Sequence, residues 1–240
     1  MTHEALASVI ENRVAALREL DDIRYLTYPA LDELPGVTAL TTLRESGRAN
    51  ESPDDFLTRV APWLARAVGA PEACFIAGRQ VHGDRHVIIT ADNMPRPGTL
   101  RRFDDTDALM TAQPGVALIV LTADCLPIFL ADPAARAVGL MHAGKVGTRK
   151  QIASRVARAF FAHLGARPEH TVALIGPSIG DGCYPQRLWE ENVAQLEAAG
   201  IGRIVEPGLC TRCNLSEFYS YRAEKGFTGR MLSAIILTDA

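Results

Sequence analysis

The chain has 240 residues, 48% of them hydrophobic, and a formal net charge of -3. That length and apolar content are enough for one large core, near the upper end of what a single domain supports. The slight acidity excludes a broad basic face of the kind that grips a phosphate backbone, so no nucleic-acid partner is expected. No run approaches the roughly 20 apolar residues that cross a bilayer, and no basic flank with an apolar signal core opens the chain. Five cysteines, an odd number, suit reduced thiols better than a disulfide framework. A cytoplasmic protein with no membrane partner is the expectation.

In chain order, Leu6, Ile10, Val14 and Leu17 share one helical face over residues 3–20. They predict an amphipathic opening helix, within a helical extension over 1–30 that packs on a single domain spanning 1–240. Ser52-Pro53-Asp54-Asp55 supplies a capping hydroxyl, a proline for the first helical position and a carboxylate two residues later, ahead of Phe56, Val60, Leu64 and Val68. A helix starts there, and Pro62 is expected to kink or divide it. Short β-rich runs follow at Ala73–Ile76, Val87–Thr90, Val116–Thr122, Ile128–Ala131, Val138–Met141 and Val172–Ile175. Helices are predicted over Lys150–Leu164, ending at Gly165, and over Leu188–Ala199, stopped by Gly200, with a last strand at Ala234–Leu237. Several strands are joined by connections too short for a crossover helix, which predicts a mixed sheet.

Three turns at strand ends carry potential ligands: Gln80-Val81-His82-Gly83, Thr122-Ala123-Asp124-Cys125-Leu126-Pro127 and Met141-His142-Ala143-Gly144. Two imidazoles and one thiolate, His82, Cys125 and His142, suit zinc, and three protein ligands leave a coordination position open for water or substrate. A metal there would polarise a substrate atom or activate a water. Asp124, beside Cys125, is placed to orient a ligand or move a proton. An isolated cysteine is more often an apolar core residue, and a strand-end histidine is often only hydrogen-bonded.

Those three turns belong to an ordered series with Ile175-Gly176-Pro177-Ser178-Ile179-Gly180, Cys210-Thr211, Phe218-Tyr219-Ser220-Tyr221-Arg222 and Thr228-Gly229-Arg230-Met231. The series resembles the YfiH family, whose members are also called laccase-domain or multicopper polyphenol oxidoreductase proteins and zinc-dependent purine nucleoside phosphorylases. The resemblance runs from about Val37 to the C-terminus. It implies an α+β fold of four layers, α/β/β/α, with mixed β-sheets, related to that of the toxin deamidase CNF. It implies zinc, rather than copper, on His82, Cys125 and His142, with Asp124, Cys125 and His142 as the catalytic residues. It further implies phosphorolysis of adenosine, inosine and methylthioadenosine together with adenosine deamination, so that the partners are a purine nucleoside and phosphate. Arg44, Gln80, Lys145 and Arg222 are the substrate-binding side chains expected from the matched motifs.

The chain departs from the family pattern in three places. The usual His-Ala-Gly-Trp-Arg-Gly reads His142-Ala143-Gly144-Lys145-Val146-Gly147, so Lys145 restores a positive charge without a planar, bidentate fork. Thr42-Leu43-Arg44-Glu45-Ser46-Gly47 only loosely follows the family's Thr-Arg-x-Gly-Gly-x-Ser stretch, and the segment from Tyr184 to Leu188 is shorter than usual.

Outside these motifs, Cys210-Thr211-Arg212-Cys213 has no second pair or nearby histidine to complete a zinc site, and Cys183 sits in a turn after Gly182. The Gly176–Gly180 run reads equally as an anion cradle or a tight turn. Arg222 and Arg230 either close on an anionic substrate or form surface ion pairs. Besides the zinc phosphorylase, three readings use the same residues. One is a metal-free cysteine hydrolase or deamidase with Cys125 as nucleophile and His142 as base. The others are a copper-dependent polyphenol oxidase, and a decayed, purine-binding family member.

Overall fold

The computed structural model describes residues 14–44, 51–206 and 208–239. In chain order the elements are β1 (Ala16–Leu20), β2 (Ile23–Thr27), α1 (Pro29–Asp32), β3 (Val37–Thr42), α2 (Pro53–Ala67), β4 (Cys74–Gly78), β5 (His86–Ile89), β6 (Leu100–Phe103) and β7 (Ala108–Thr111). They continue with β8 (Val116–Thr122), β9 (Leu126–Asp132), β10 (Ala137–Ala143), α3 (Lys145–Arg149), α4 (Ile152–Leu164), β11 (Val172–Ile175), α5 (Leu188–Ala198), β12 (Arg203–Val205) and β13 (Met231–Leu237). Among the described residues no helix is long and apolar enough to cross a membrane.

Two mixed sheets result. A seven-stranded sheet runs β1-β2-β3-β13-β8-β4-β6, and a six-stranded sheet runs β12-β11-β9-β10-β7-β5. The β4 strand pairs in parallel with both β8 and β6, and β5 pairs in parallel with β7, whereas β9 and β10 form an antiparallel pair. Strand β8 is apolar from Val116 to Leu121 because it is covered on both faces. Its Val116, Leu118 and Val120 face the other sheet in one core with Phe129, Leu140 and Leu174. Its Ala117, Ile119 and Leu121 pack with Leu57, Val60 and Leu64 of α2. A third core joins Ile128, Leu130 and Met141 of the six-stranded sheet to Ile152, Val156 and Phe160 of α4 and Leu196 of α5. The period-two alternation of each strand thus builds four layers, α/β/β/α, as expected.

Two expectations are corrected. Residues 16–27 form no helix: β1 and β2 pair antiparallel from Ala16↔Thr27 to Leu20↔Ile23, across Asp21 and Asp22 at φ 50° and 60°. Positive φ at both central residues is the hairpin turn that matches strand twist, and β2 continues its pairing onto β3. The helical spacing of Val14 and Leu17 is therefore overridden by sheet pairing, while Leu6, Ile10 and the rest of 1–13 lie outside the described residues. Pro62 does not divide α2, which runs unbroken from its cap, where Ser52 Oγ accepts the Asp55 N–H at 3.1 Å. Pro62 and Thr58, whose carbonyl loses its partner, both face solvent, so the missing bond lies on the helix's wet side.

The layers converge on one end of the molecule. Strands β8 and β9 lie in different sheets, yet only Ala123, Asp124 and Cys125 separate them. There β4 ends at Gly78, where a Cβ would stand 2.0 Å from the Thr106 carbonyl oxygen. Gly78→Ala forces β4 away from the segment before β7, and is expected to lower unfolding free energy by about 1–3 kcal/mol in chemical denaturation.

Candidate metal centre and its cavity

His82, on the loop after β4, Cys125, at the sheet-crossing turn, and His142, in β10, come together with their ligand atoms all within 4.8 Å of one another. The two imidazole rings meet edge to face, their centroids 4.8 Å apart. Glycine is required beside them: a Cβ on Gly144 would stand 2.9 Å from Cys125 Sγ and 3.0 Å from His82 Cδ2.

Asp107, just before β7, organises the cluster. Its Oδ1 lies 2.8 Å from His142 Nδ1 and accepts the His82 N–H at 3.0 Å, and its Oδ2 accepts the N–H groups of Gly83 at 2.7 Å and Val81 at 3.2 Å. Burial opposes its charged form, but His142 and those amides outweigh that and hold the carboxyl below the usual carboxylate range. With Nδ1 so engaged, Nε2 is the free nitrogen of His142. Burial also pushes the Cys125 thiol up, but the His142 and His82 imidazoles more than reverse it and bring it to about 6. His142 is opposed by burial and raised by the Cys125 thiolate and Asp107, to about 9. The thiolate is the form that ligates a cation, and a cation binding here takes the place of the His142 proton. The donor set, the oriented imidazole and the space kept by Gly144 all fit a metal ion.

Two residues at the site hold backbone conformations unusual for side-chain-bearing residues, His82 at φ 60° and Asp124 at φ 94°. Asp107 braces the first. The second is braced by its own carboxylate, whose Oδ1 accepts from Thr211 Oγ1 at 2.7 Å and whose Oδ2 accepts from the Arg222 N–H at 2.7 Å. Asp124 thereby ties the C-terminal segment to the metal turn. Gln80 grips Leu121 of β8 with both ends of its amide, each bond 2.8 Å.

The Gly176–Gly180 run keeps no free amide for an anion: its N–H groups donate to the carbonyls of Pro127, Leu209 and Asp124 and to Cys210 Sγ, which join it to neighbouring segments. Arg44 lies away from the cavity walls. It pairs with Glu224, donates to the Leu215 and Phe218 carbonyls and covers the Tyr219 ring at 4.7 Å, and so braces the segment that carries Tyr221 and Arg222.

Above the cluster opens a cavity of about 780 Å³, whose walls include His82, Cys125, His142, Asp124 and Gln80. Among the described residues five cationic side chains line it: Arg102, Lys145, Arg222, Lys225 and Arg230. Tyr184 and Tyr221 add aromatic faces, with the Arg222 guanidinium 5.1 Å from the Tyr184 ring centre. Lys145 and Arg222, expected from the sequence to bind substrate, are among these wall residues. Asp107, Arg102, Lys225 and the two tyrosines escaped sequence reasoning. Nothing distinguishes Asp107 from its neighbours in Asp104-Asp105-Thr106-Asp107 until β7 folds.

The family profile described as "Multi-copper polyphenol oxidoreductase laccase" matches residues 49–187 and 185–238. The chain belongs to this laccase family. Among curated relatives, a Deinococcus radiodurans protein named purine nucleoside phosphorylase is 37% identical over 198 residues, 72% of this chain and 74% of its own. A Streptomyces coelicolor protein named purine nucleoside phosphorylase SCO2081 is 31% identical over 199 residues, 72% of this chain and 79% of its own. Two solved structures of similar fold are YlmD from Geobacillus stearothermophilus and a Bacillus licheniformis hypothetical protein, YfiH. YlmD has a TM-score of 0.79 and 25% identity over 94% of this chain and all of its own. YfiH has a TM-score of 0.77 and 27% identity over 91% and 100%. The laccase-family chain therefore shares its α+β fold and mixed sheets with YfiH and YlmD.

Replacing Asp107 by Asn removes the charge that fixes His142 and puts an N–H₂ among donors. Metal affinity, measured by competition with a coloured chelator, is expected to fall about 10–100-fold.

Proposed function

We propose that the chain is a zinc-dependent purine nucleoside phosphorylase that also deaminates adenosine, with inosine, adenosine and methylthioadenosine as substrates. The observation that carries this reading is the union of the His82–Cys125–His142 cluster with a cavity wall bearing five cations. Among the described residues the one acid on that wall, Asp124, has both oxygens engaged by Thr211 and Arg222. A field of that sign collects an anion, and phosphate is the anionic co-substrate of phosphorolysis. The names of the relatives point the same way.

In phosphorolysis a phosphate oxygen bonds to the ribose C1′ as the bond from C1′ to the purine nitrogen breaks, and the base leaves with the electron pair and takes a proton. Lys145 and Arg222 bind and orient the phosphate, a point charge and a guanidinium respectively, with the Arg222 guanidinium 5.1 Å from the Tyr184 ring centre. Tyr184 and Tyr221 offer faces to the purine ring. His82, Cys125 and His142 would hold the zinc, which when bound supplies a Lewis acid facing the cavity. Gln80 and Asp124 position the turns by their backbone bonds. In deamination water adds at the purine carbon bearing the amino group, and ammonia departs. A cytoplasmic location accords with reduced cysteines and with phosphate as co-substrate.

Phosphate-dependent release of hypoxanthine from inosine, measured with zinc content, tests the reading; stoichiometric zinc with no turnover of any nucleoside would defeat it. Arg222→Ala is expected to raise the KM for phosphate about tenfold, the worth of one charge-assisted hydrogen bond, with a smaller effect on the nucleoside KM. Exhaustive chelation is expected to abolish turnover and zinc to restore it. Full activity of the chelated protein, lost once Cys125 is alkylated, would instead favour the metal-free cysteine hydrolase.

A further inference from the structure

The fold gathers a second set of metal-ligating side chains that the expected chemistry does not use. Cys183, Cys210 and Cys213 bring their sulfur atoms within 4.8 Å of one another, with Cys183 and Cys213 at 3.3 Å. They come from two loops. Cys183 lies in the turn after Gly180, where its N–H reaches the Gly180 carbonyl, and Cys210 and Cys213 lie on the segment joined to that turn by the Ser178↔Cys210 bridge. Sequence spacing left Cys210-x-x-Cys213 without a further ligand; folding supplies it from 27 positions upstream of Cys210.

We propose that these three cysteines form a second zinc site, separate from His82, Cys125 and His142. Three features support it. Sulfur atoms sharing a tetrahedral ion at about 2.3 Å each stand roughly 3.8 Å apart, within the span of this trio. The Gly180 N–H donates to Cys210 Sγ at 3.2 Å, the kind of backbone bond that steadies a metal thiolate. Arg212, which donates to the Cys183 carbonyl at 3.0 Å, sets a cation beside a centre that carries one net negative charge when zinc holds three thiolates. Binding releases three thiol protons to solvent and changes no oxidation state. A Cys183–Cys213 disulfide would engage two sulfurs and leave Cys210 without a role; an ion uses all three. Cys213 is exposed, which opens the site to solvent and leaves a fourth position for water.

The site fastens two walls of the cavity. Tyr184 follows Cys183, and Thr211, which bonds Asp124, follows Cys210. Zinc held there ties the loop presenting Tyr184 to the segment presenting Tyr221 and Arg222.

The test is metal stoichiometry in reduced protein, independent of turnover. The wild type is expected to bind two zinc ions per chain, and His82→Ala and Cys213→Ser one each. With cobalt as the probe, the thiolate charge-transfer band of His82→Ala is expected to be about three times that of Cys213→Ser, from three thiolates against one. In the unaltered protein, excess zinc is expected to slow alkylation of Cys213 at least tenfold, a readout that needs no variant to fold. One zinc per chain in the wild type, with alkylation of Cys213 indifferent to zinc, would overturn the proposal. So would loss of two mass units by a Cys183–Cys213 disulfide in a protein that takes up no second metal when reduced.

Discussion

The site depends on one buried carboxylate. Asp107 collects three successive backbone N–H groups from the His82 turn and one imidazole from β10. Without those donors the carboxylate would be a buried charge with no compensation. Together they form a closed network that fixes a histidine in a left-handed backbone conformation and orients the ring of a second. The glycines nearby complement it by leaving room. Gly144 keeps a Cβ out of the space shared by Cys125 and His82, and Gly147 lets its backbone approach the Gly83 carbonyl.

The chemistry available to that network is set by its surroundings. A thiolate beside a charged imidazole serves equally as a nucleophile and base or as two ligands awaiting a cation. Around it Lys145, Arg222, Lys225 and Arg230 line one opening, with Arg102 paired to Asp54, a field that attracts an anion. The exchange of the family's Trp-Arg pair for Lys145-Val146 keeps the charge and gives up the fork, leaving Arg222 as a guanidinium ordered by an aromatic neighbour, Tyr184.

Much of this was legible in the sequence. The long apolar strand β8, the cap at Ser52 and the glycine stop after α4 follow from local patterns, and the three ligand-bearing turns stand out by composition and order. What escaped was set by distant parts of the chain. The β1–β2 hairpin is decided by pairing onto β3, which no helical wheel reports. Asp107 looks like any surface acid until two sheets close around it. Gln80 and Arg44, expected to bind substrate, also make bonds that no motif shows, to Leu121 and to the 215–224 segment. Cys183 is remote from Cys210 in sequence and adjacent only through the Ser178 bridge.

The ligands are drawn from both halves of the sandwich: His82 follows a strand of the seven-stranded sheet, His142 belongs to the six-stranded sheet, and Cys125 sits on the short link between them. An ion on all three is a rivet through the two sheets. Its binding energy would resist any sliding of one sheet over the other, so that the free metal concentration would set how firmly the sandwich is closed.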